Sequence, residues 1–141
     1  SVRRGYEFVT RKIVRGAVQI KKGQAHELSL GNLDAQRDWG YAPDYVRAMW
    51  LMLQQEKPDD YVIATGKLHT VRELCETAFR LVGLNYLDYV KVDPKFYRPA
   101  EAIPLVGDSS KAQKILHWAP EMPFHDMIEE MVEFELANGV K

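Results

Sequence analysis

The chain has 141 residues, of which 46% are hydrophobic and 28% are charged, enough apolar material for the core of one ordinary domain. Nineteen basic and 20 acidic side chains leave a formal net charge of −1, which excludes an overall positive field that would attract nucleic acid. A single cysteine excludes an internal disulfide, the four histidines show no metal-ligand spacing, and no apolar run approaches the ~18 residues of a membrane helix.

The apolar residues predict helices that alternate with strands, which indicates an α/β fold in a single domain spanning 1–141. Predicted helices cover 6–22, 42–55, 70–82, 109–116 and 124–137. Predicted strands cover 27–30, 61–64 and 89–92. We also expect a cytoplasmic protein that has no bound metal and contacts neither membrane nor nucleic acid.

Local signals set several of these boundaries. Thr70 and Glu73 have the spacing of a capping box, and Pro43 suits the first turn of a helix. Every residue of the run 61–64 is apolar, which is typical of a strand buried on both faces. We expect Cys75 to be an inert core residue. The three tryptophans are predicted to be packing residues: Trp39, Trp50 and Trp118.

Two clusters offer groups that could bind a phosphorylated ligand. Residues 37–45 hold an arginine, two aspartates and three aromatic side chains, and a second cluster holds Arg98 and Glu101. An arginine presents a planar, permanently charged fork to phosphate, so two arginines and a carboxylate could grip the diphosphate and diol of a nucleotide-sugar. Surface ion pairs, Arg37 with Asp38 and Arg98 with Glu101, are the alternative.

Residues for chemistry on such a ligand are not apparent. The nine glycines do not form the G-x-G-x-x-G loop of a dinucleotide site, and no tyrosine is followed by a lysine four residues later. No serine, histidine and aspartate set or histidine pair stands out. We therefore assign no catalytic residue and expect the chain to be an incomplete enzyme that begins, at Ser1, inside a larger protein.

Many short runs resemble the GDP-mannose 4,6-dehydratase family, which belongs to the extended short-chain dehydrogenase/reductases. The matching runs are 3–5, 8–13, 30–35, 37–40, 48–54, 60–66, 97–101 and 107–108. The resemblance implies the C-terminal, substrate-binding part of a Rossmann-type fold, without the N-terminal part that binds the dinucleotide and holds the catalytic residues. It also implies a lyase that uses NADP to convert GDP-mannose to GDP-4-keto-6-deoxy-mannose and water.

The same resemblance implies binding residues. Val9 and Lys12 would lie at the nucleotide end of GDP-mannose, Arg37 and Arg98 would contact its diphosphate, and Glu101 would bind the ribose hydroxyls.

One further residue, Arg4, would lie in a loop that reaches an adjacent subunit and contacts NADP there. The implied partners are the N-terminal portion of the same enzyme and further copies of it, in a homodimer or homotetramer. Val2 departs from the family, which usually has proline at this position, and a rigid turn is thereby lost.

Two alternatives stay open. One is a related nucleotide-sugar enzyme, a reductase or an epimerase. The other is an inactive truncated fragment that only binds or associates. For the isolated chain we expect low stability or self-association, because an apolar strand at 61–64 needs neighbours that cover it.

Overall fold

The computed structural model of the chain describes residues 1–97 and 105–138. The five α-helices of this part are α1 (Val9–Lys21), α2 (Ala42–Leu53), α3 (Val71–Leu81), α4 (Ser110–Leu116) and α5 (Phe124–Asn138). The four short strands are β1 (Leu28–Leu30), β2 (Gln36–Arg37), β3 (His69–Thr70) and β4 (Val90–Val92). Two 3-10 turns, Tyr86–Asp88 and Pro94–Phe96, flank β4. The predicted α/β alternation is confirmed.

The main core forms where α1, α3 and α5 pack together. Each of these helices carries apolar residues three or four positions apart, so one face is apolar along its length. Ile13, Leu74, Phe79 and Ile128 are fully buried in this core. Burial of each such side chain contributes roughly 1.5–3 kcal/mol, so the three helices provide much of the stabilisation.

A parallel pair of strands, β1 and β4, packs against this core. Leu28 pairs with Val90 and Leu30 with Val92. Parallel strands need a long crossover connection, and here the connection contains α2 and α3. The carboxyl ends of both strands therefore lie at one edge, beside the start of α1.

A second, smaller core joins α2 to α4 around the fully buried Trp118. The indole Nε1 donates to the carbonyl of Asp44, 2.8 Å away. The buried Asp44 carboxylate accepts from the backbone amides of Glu121 and Met122 at 2.9 and 3.1 Å. This aspartate therefore fixes the segment between α4 and α5, in addition to occupying the favourable N-terminal turn of α2.

All five predicted helices are present, with ends shifted by up to three residues. The Thr70–Glu73 capping box is confirmed: the Thr70 hydroxyl accepts from the Glu73 amide and the Glu73 carboxylate from the Thr70 amide. Gly23 and Gly83 follow α1 and α3 with φ of +69° and +74°, a conformation that suits glycine at helix ends.

The prediction of a buried strand at 61–64 is wrong for the described residues. In the described part of the chain, this segment forms no strand, and the side chain of Val62 is 54% exposed. A strand needs a hydrogen-bonding neighbour, and the two described sheets pair only β1 with β4 and β2 with β3. Conversely, the two-residue strands β2 and β3 are not apparent from the sequence.

The three tryptophans differ in burial. Trp118 is fully buried and Trp39 stacks on Phe124 with ring centres 5.9 Å apart, so the packing role predicted for them is confirmed. The packing prediction for Trp50 is wrong, because this side chain is 59% exposed on the outer face of α2. None of the helices in the described part of the chain has the length and apolar composition needed to cross a lipid bilayer.

Candidate functional site

A cavity of about 660 Å³ opens between the start of α1, the carboxyl end of β1, the segment after β2 and the middle of α5. Ala35, Val71, Met127 and Met131 give it an apolar wall. Charged side chains also line it: Arg4, Glu7, Lys12, Arg37 and Asp38. Its volume falls in the range of small-molecule sites, which combine apolar walls with a few polar groups.

Four of the six predicted binding residues line this cavity: Arg4, Val9, Lys12 and Arg37. Val9 and Lys12 belong to the first turn of α1 and, three positions apart, share one face of the helix. The Lys12 ammonium donates to the carbonyl of Ser29 at 2.8 Å and lies 4.5 Å from the centre of the Phe96 ring. An ammonium has three donors, so the Ser29 contact uses one of them.

Arg37 reaches the cavity from β2, where it pairs with His69 of β3. Its Nη1 donates to the carbonyl of Gln36 at 2.6 Å, and the residue is half-buried. The strand pair thus fixes the backbone from which the guanidinium projects. A guanidinium held in this way is suited to bidentate binding of a phosphate group.

The neighbouring Asp38 connects three segments of the chain. Its Oδ1 accepts from the Thr65 amide at 3.0 Å and from the Thr65 hydroxyl at 2.5 Å. Its Oδ2 accepts from the amides of Gly66 at 2.9 Å and Gly107 at 3.4 Å. The sequence predicts only an ion pair with Arg37 for this carboxylate, since no local signal reveals partners 27 to 69 positions away.

Arg4 lies at the exposed rim of the cavity. Its guanidinium carbon is 3.6 Å from the centre of the Phe8 ring, a cation–π contact. The carbonyl of Arg4 accepts from Nη1 of Arg11 at 3.4 Å. Both the side chain and the backbone of Arg4 are therefore held by neighbours on or next to α1.

Close backbone contact brings the segment after β4 to the cavity. A Cβ atom on Gly31 would lie 2.5 Å from the carbonyl oxygen of Phe96, so only glycine fits there. Phe96 itself lines the cavity. Arg98 and Glu101 lie outside the described residues, so the meeting of Arg98 with Arg37 around one diphosphate stays a prediction.

Two tyrosines near the cavity are hydroxyl donors at neutral pH. Burial, reinforced by the charges of Asp38 and Asp44, raises the pKa of Tyr45, which lines the cavity. A hydrogen bond to Glu130, 2.6 Å long, raises the pKa of Tyr41. Neither residue is thereby prepared to act as a base.

A group of possible metal ligands lies at the start of α5. One ligand atom each of His125, Asp126 and Glu129 lies within 4.8 Å of the others. This group was not predicted, because the four histidines show no metal-ligand spacing in the sequence. His125 and Asp126 are exposed, and exposed acidic groups of this kind are common without a metal ion.

Solved structures define the class of fold. The chain superposes with a TM-score of 0.86 on RMD from Pseudomonas aeruginosa complexed with NADPH, at 20% identity. The superposition covers 96% of this chain and 45% of the neighbour's chain. A dTDP-glucose 4,6-dehydratase from Bacillus anthracis in complex with NAD gives a TM-score of 0.77 at 20% identity, with 96% and 41% covered. The fold is therefore that of the C-terminal part of the extended short-chain dehydrogenase/reductases.

Within that class, residues 1–131 match the family model for GDP-mannose 4,6 dehydratase. The chain belongs to this family. It is 54% identical over 136 residues to GDP-mannose 4,6 dehydratase 2 of Arabidopsis thaliana. This alignment covers 96% of this chain and 36% of the relative. It is 46% identical over 153 residues to the Homo sapiens GDP-mannose 4,6 dehydratase, with 96% and 41% covered. The chain thus spans about two-fifths of the length of these relatives.

Proposed function

We propose that this chain supplies the GDP-sugar grip of a GDP-mannose 4,6-dehydratase, a lyase that converts GDP-mannose to GDP-4-keto-6-deoxy-mannose and water. Residues 1–141 would act as one nucleotide-sugar-binding portion in a cytoplasmic enzyme. The observation that carries this proposal is the common location of Arg4, Val9, Lys12 and Arg37 around one cavity, in a chain of the dehydratase family.

The lining suits the two chemically different ends of such a substrate. Arg37, fixed by the β2–β3 pair, would bind the diphosphate, joined there by Arg98. Lys12 and Val9 would contact the nucleotide, one as a hydrogen-bond donor and the other by apolar packing. Hydrogen bonds from charged donors to phosphate are about twice as strong as neutral ones, so loss of Arg37 should weaken binding markedly. Glu101 would accept from the ribose hydroxyls.

The dinucleotide cofactor would make few contacts with this chain. NADP, when bound, takes up and returns the hydride of such a reaction. A G-x-G-x-x-G loop is not present in the sequence, so most of its contacts would come from the N-terminal portion of the enzyme. Arg4 fits a supporting role, because its guanidinium lies at the exposed rim, where a cofactor phosphate bound by an adjacent subunit could reach it.

Substitution of Arg37 tests the proposed binding of the GDP-sugar. In the full-length enzyme, Arg37→Ala should weaken GDP-mannose binding by about 10- to 100-fold, since a hydrogen bond to a charged group contributes roughly 1.5–3 kcal/mol. Binding of NADPH should not change. The matched control is Lys111→Ala, which removes an exposed cation paired with Asp59 outside the cavity lining. Unchanged affinity for GDP-mannose in calorimetric titration of Arg37→Ala would reject the assigned role.

Product analysis distinguishes a dehydratase from the two alternative enzymes, a reductase and an epimerase. Incubation of the full-length enzyme with GDP-mannose should yield a 4-keto-6-deoxy product without added reductant, because the hydride returns to the sugar. A reductase would consume NADPH, and an epimerase would return an isomer of the same mass. Sedimentation of the same sample would establish whether it is a dimer or a tetramer, as proposed from the family.

A further inference from the structure

We propose that the buried ion pair of Arg11 and Glu135 is a positioning device for the N-terminal loop, residues 1–8, and thereby places Arg4 at the cavity. The pair joins α1 to α5, and its members are 4% and 2% exposed. Neither residue lines the cavity. The inference rests on the proposed function only in assigning a cofactor phosphate to Arg4.

The donors of Arg11 are shared between α5 and the loop. Its Nε donates to Oε1 of Glu135, which holds the plane of the guanidinium. Its Nη1 donates to the Arg4 carbonyl and its Nη2 to the Tyr6 hydroxyl, each at 3.4 Å. Arginine carries five donors in a rigid fork, so one side chain can serve three acceptors at once.

Aromatic contacts reinforce this arrangement. The guanidinium carbon of Arg11 lies 4.7 Å from the centre of the Tyr6 ring and 5.4 Å from that of Phe134 on α5. The Arg15 guanidinium lies 4.3 Å from the Tyr6 ring. The described loop has only two internal backbone hydrogen bonds, Arg4 to Ser1 and Phe8 to Gly5. Contacts from Arg11 therefore contribute to ordering the loop, together with the packing of Val2 against the main core.

The stripe of α5 that carries Glu135 also reaches the cavity. Met127 and Met131 line the cavity wall, and Glu135 follows at the next i+4 position of the same face. A single helix face thus forms one wall of the site and anchors, through Arg11, the loop at its rim.

A double apolar variant separates positioning from stabilisation. Replacing a buried ion pair by apolar residues of similar volume commonly preserves stability, whereas removing one partner does not. In full-length enzyme carrying Arg11→Met and Glu135→Leu, we expect a melting temperature near that of the parent. We expect hydrogen exchange of the loop amides to be about tenfold faster, relative to the amides of α3, because two hydrogen bonds to the loop are lost.

Binding supplies the second readout. The double variant should bind NADPH about tenfold more weakly and GDP-mannose with unchanged affinity. The control is Asp59→Asn with Lys111→Met, which removes an exposed ion pair and should change neither quantity. Should the double variant fail to fold, Tyr6→Phe is used, with the same expectation of faster loop exchange, because it removes the hydroxyl that accepts from Nη2 of Arg11 and leaves the buried ion pair intact.

Unchanged loop exchange in a folded variant would overturn the proposal. Faster exchange with weaker NADPH binding supports it together with the role of Arg4. Faster exchange with unchanged NADPH binding supports the positioning of the loop and rejects the cofactor role of Arg4, so the two ideas fail separately.

Discussion

At the scale of single residues, the close contact of Gly31 with Phe96 allows a specific prediction about substitution. A methyl group at this position would lie 2.5 Å from a backbone oxygen of Phe96, and backbone cannot rotate away as a side-chain end can. We expect Gly31→Ala to push Phe96 from the cavity, lower the free energy of unfolding by about 1–3 kcal/mol, and weaken GDP-mannose binding. Urea unfolding and ligand titration measure the two effects.

The matched control for this substitution is Gly23→Ala. Gly23 has φ of +69° and no atom within 4 Å of an added Cβ, so the variant tests conformational strain without a clash. We expect it to lower the free energy of unfolding by roughly 1–2 kcal/mol without affecting the ligand. Equal loss of binding in both variants would contradict the role of the Gly31 contact.

Cys75 provides a prediction about pH. Burial raises the pKa of its thiol from 9.0 to about 12. Below pH 9 the thiol is neutral in both states, but between pH 9 and 12 it ionises only in the unfolded state, so the free energy of unfolding falls as the pH rises. We expect Cys75→Ala to flatten this dependence in urea unfolding at pH 7.5 and 10.

At pH 8, a thiol reagent should label Cys75 only after denaturation. Rapid labelling of the native protein would show that the side chain is accessible.

The residue contacts that sequence analysis did not predict share one property. Arg11 and Glu135 are 124 positions apart, and Asp38 accepts from residues 27 to 69 positions away. Such pairing depends on the packed fold and leaves no local pattern. Val9, Lys12 and Arg37, in contrast, could be predicted as binding residues, because whole runs of sequence around them resemble a known family.

At the scale of secondary structure elements, α3 depends on its capping box. Replacing Thr70 by alanine removes an acceptor for the Glu73 amide, and we expect a loss of about 1 kcal/mol in the free energy of unfolding. Thr70→Ser keeps the hydroxyl and serves as the control. Because α3 packs on both α1 and α5, the loss should appear in global unfolding as measured by circular dichroism. A loss equal for both variants would show that the cap is not the cause.

Helices were predicted well and strands less well for a physical reason. Helix hydrogen bonds are internal to the segment, so caps and apolar spacing such as those of α3 suffice to locate it. A strand is defined by its partner. The segment 61–64 has strand-like composition but no described partner, whereas β2 and β3 pair over two residues without any apolar pattern.

At the scale of the whole molecule, the described fold leaves an apolar surface of α2 uncovered. The outer face of α2 exposes four large side chains: Val46, Met49, Trp50 and Leu53, at 61%, 59%, 59% and 83%. The unpaired and partly exposed segment 61–64 belongs to the same half of the molecule, since Tyr61 and Ile63 pack with α2 in the small core. A contiguous apolar surface of this kind favours association in water.

We therefore expect the isolated 141-residue chain to self-associate through the outer face of α2. Replacing Trp50 and Leu53 by glutamate removes two of the largest exposed apolar side chains of this helix, both outside the buried core, so the variant should fold yet sediment as a monomer. Thr70→Ser is a control that leaves this surface intact. Sedimentation velocity at several concentrations measures the effect, and a sharp thermal transition of a monomeric parent chain would show that this face needs no cover.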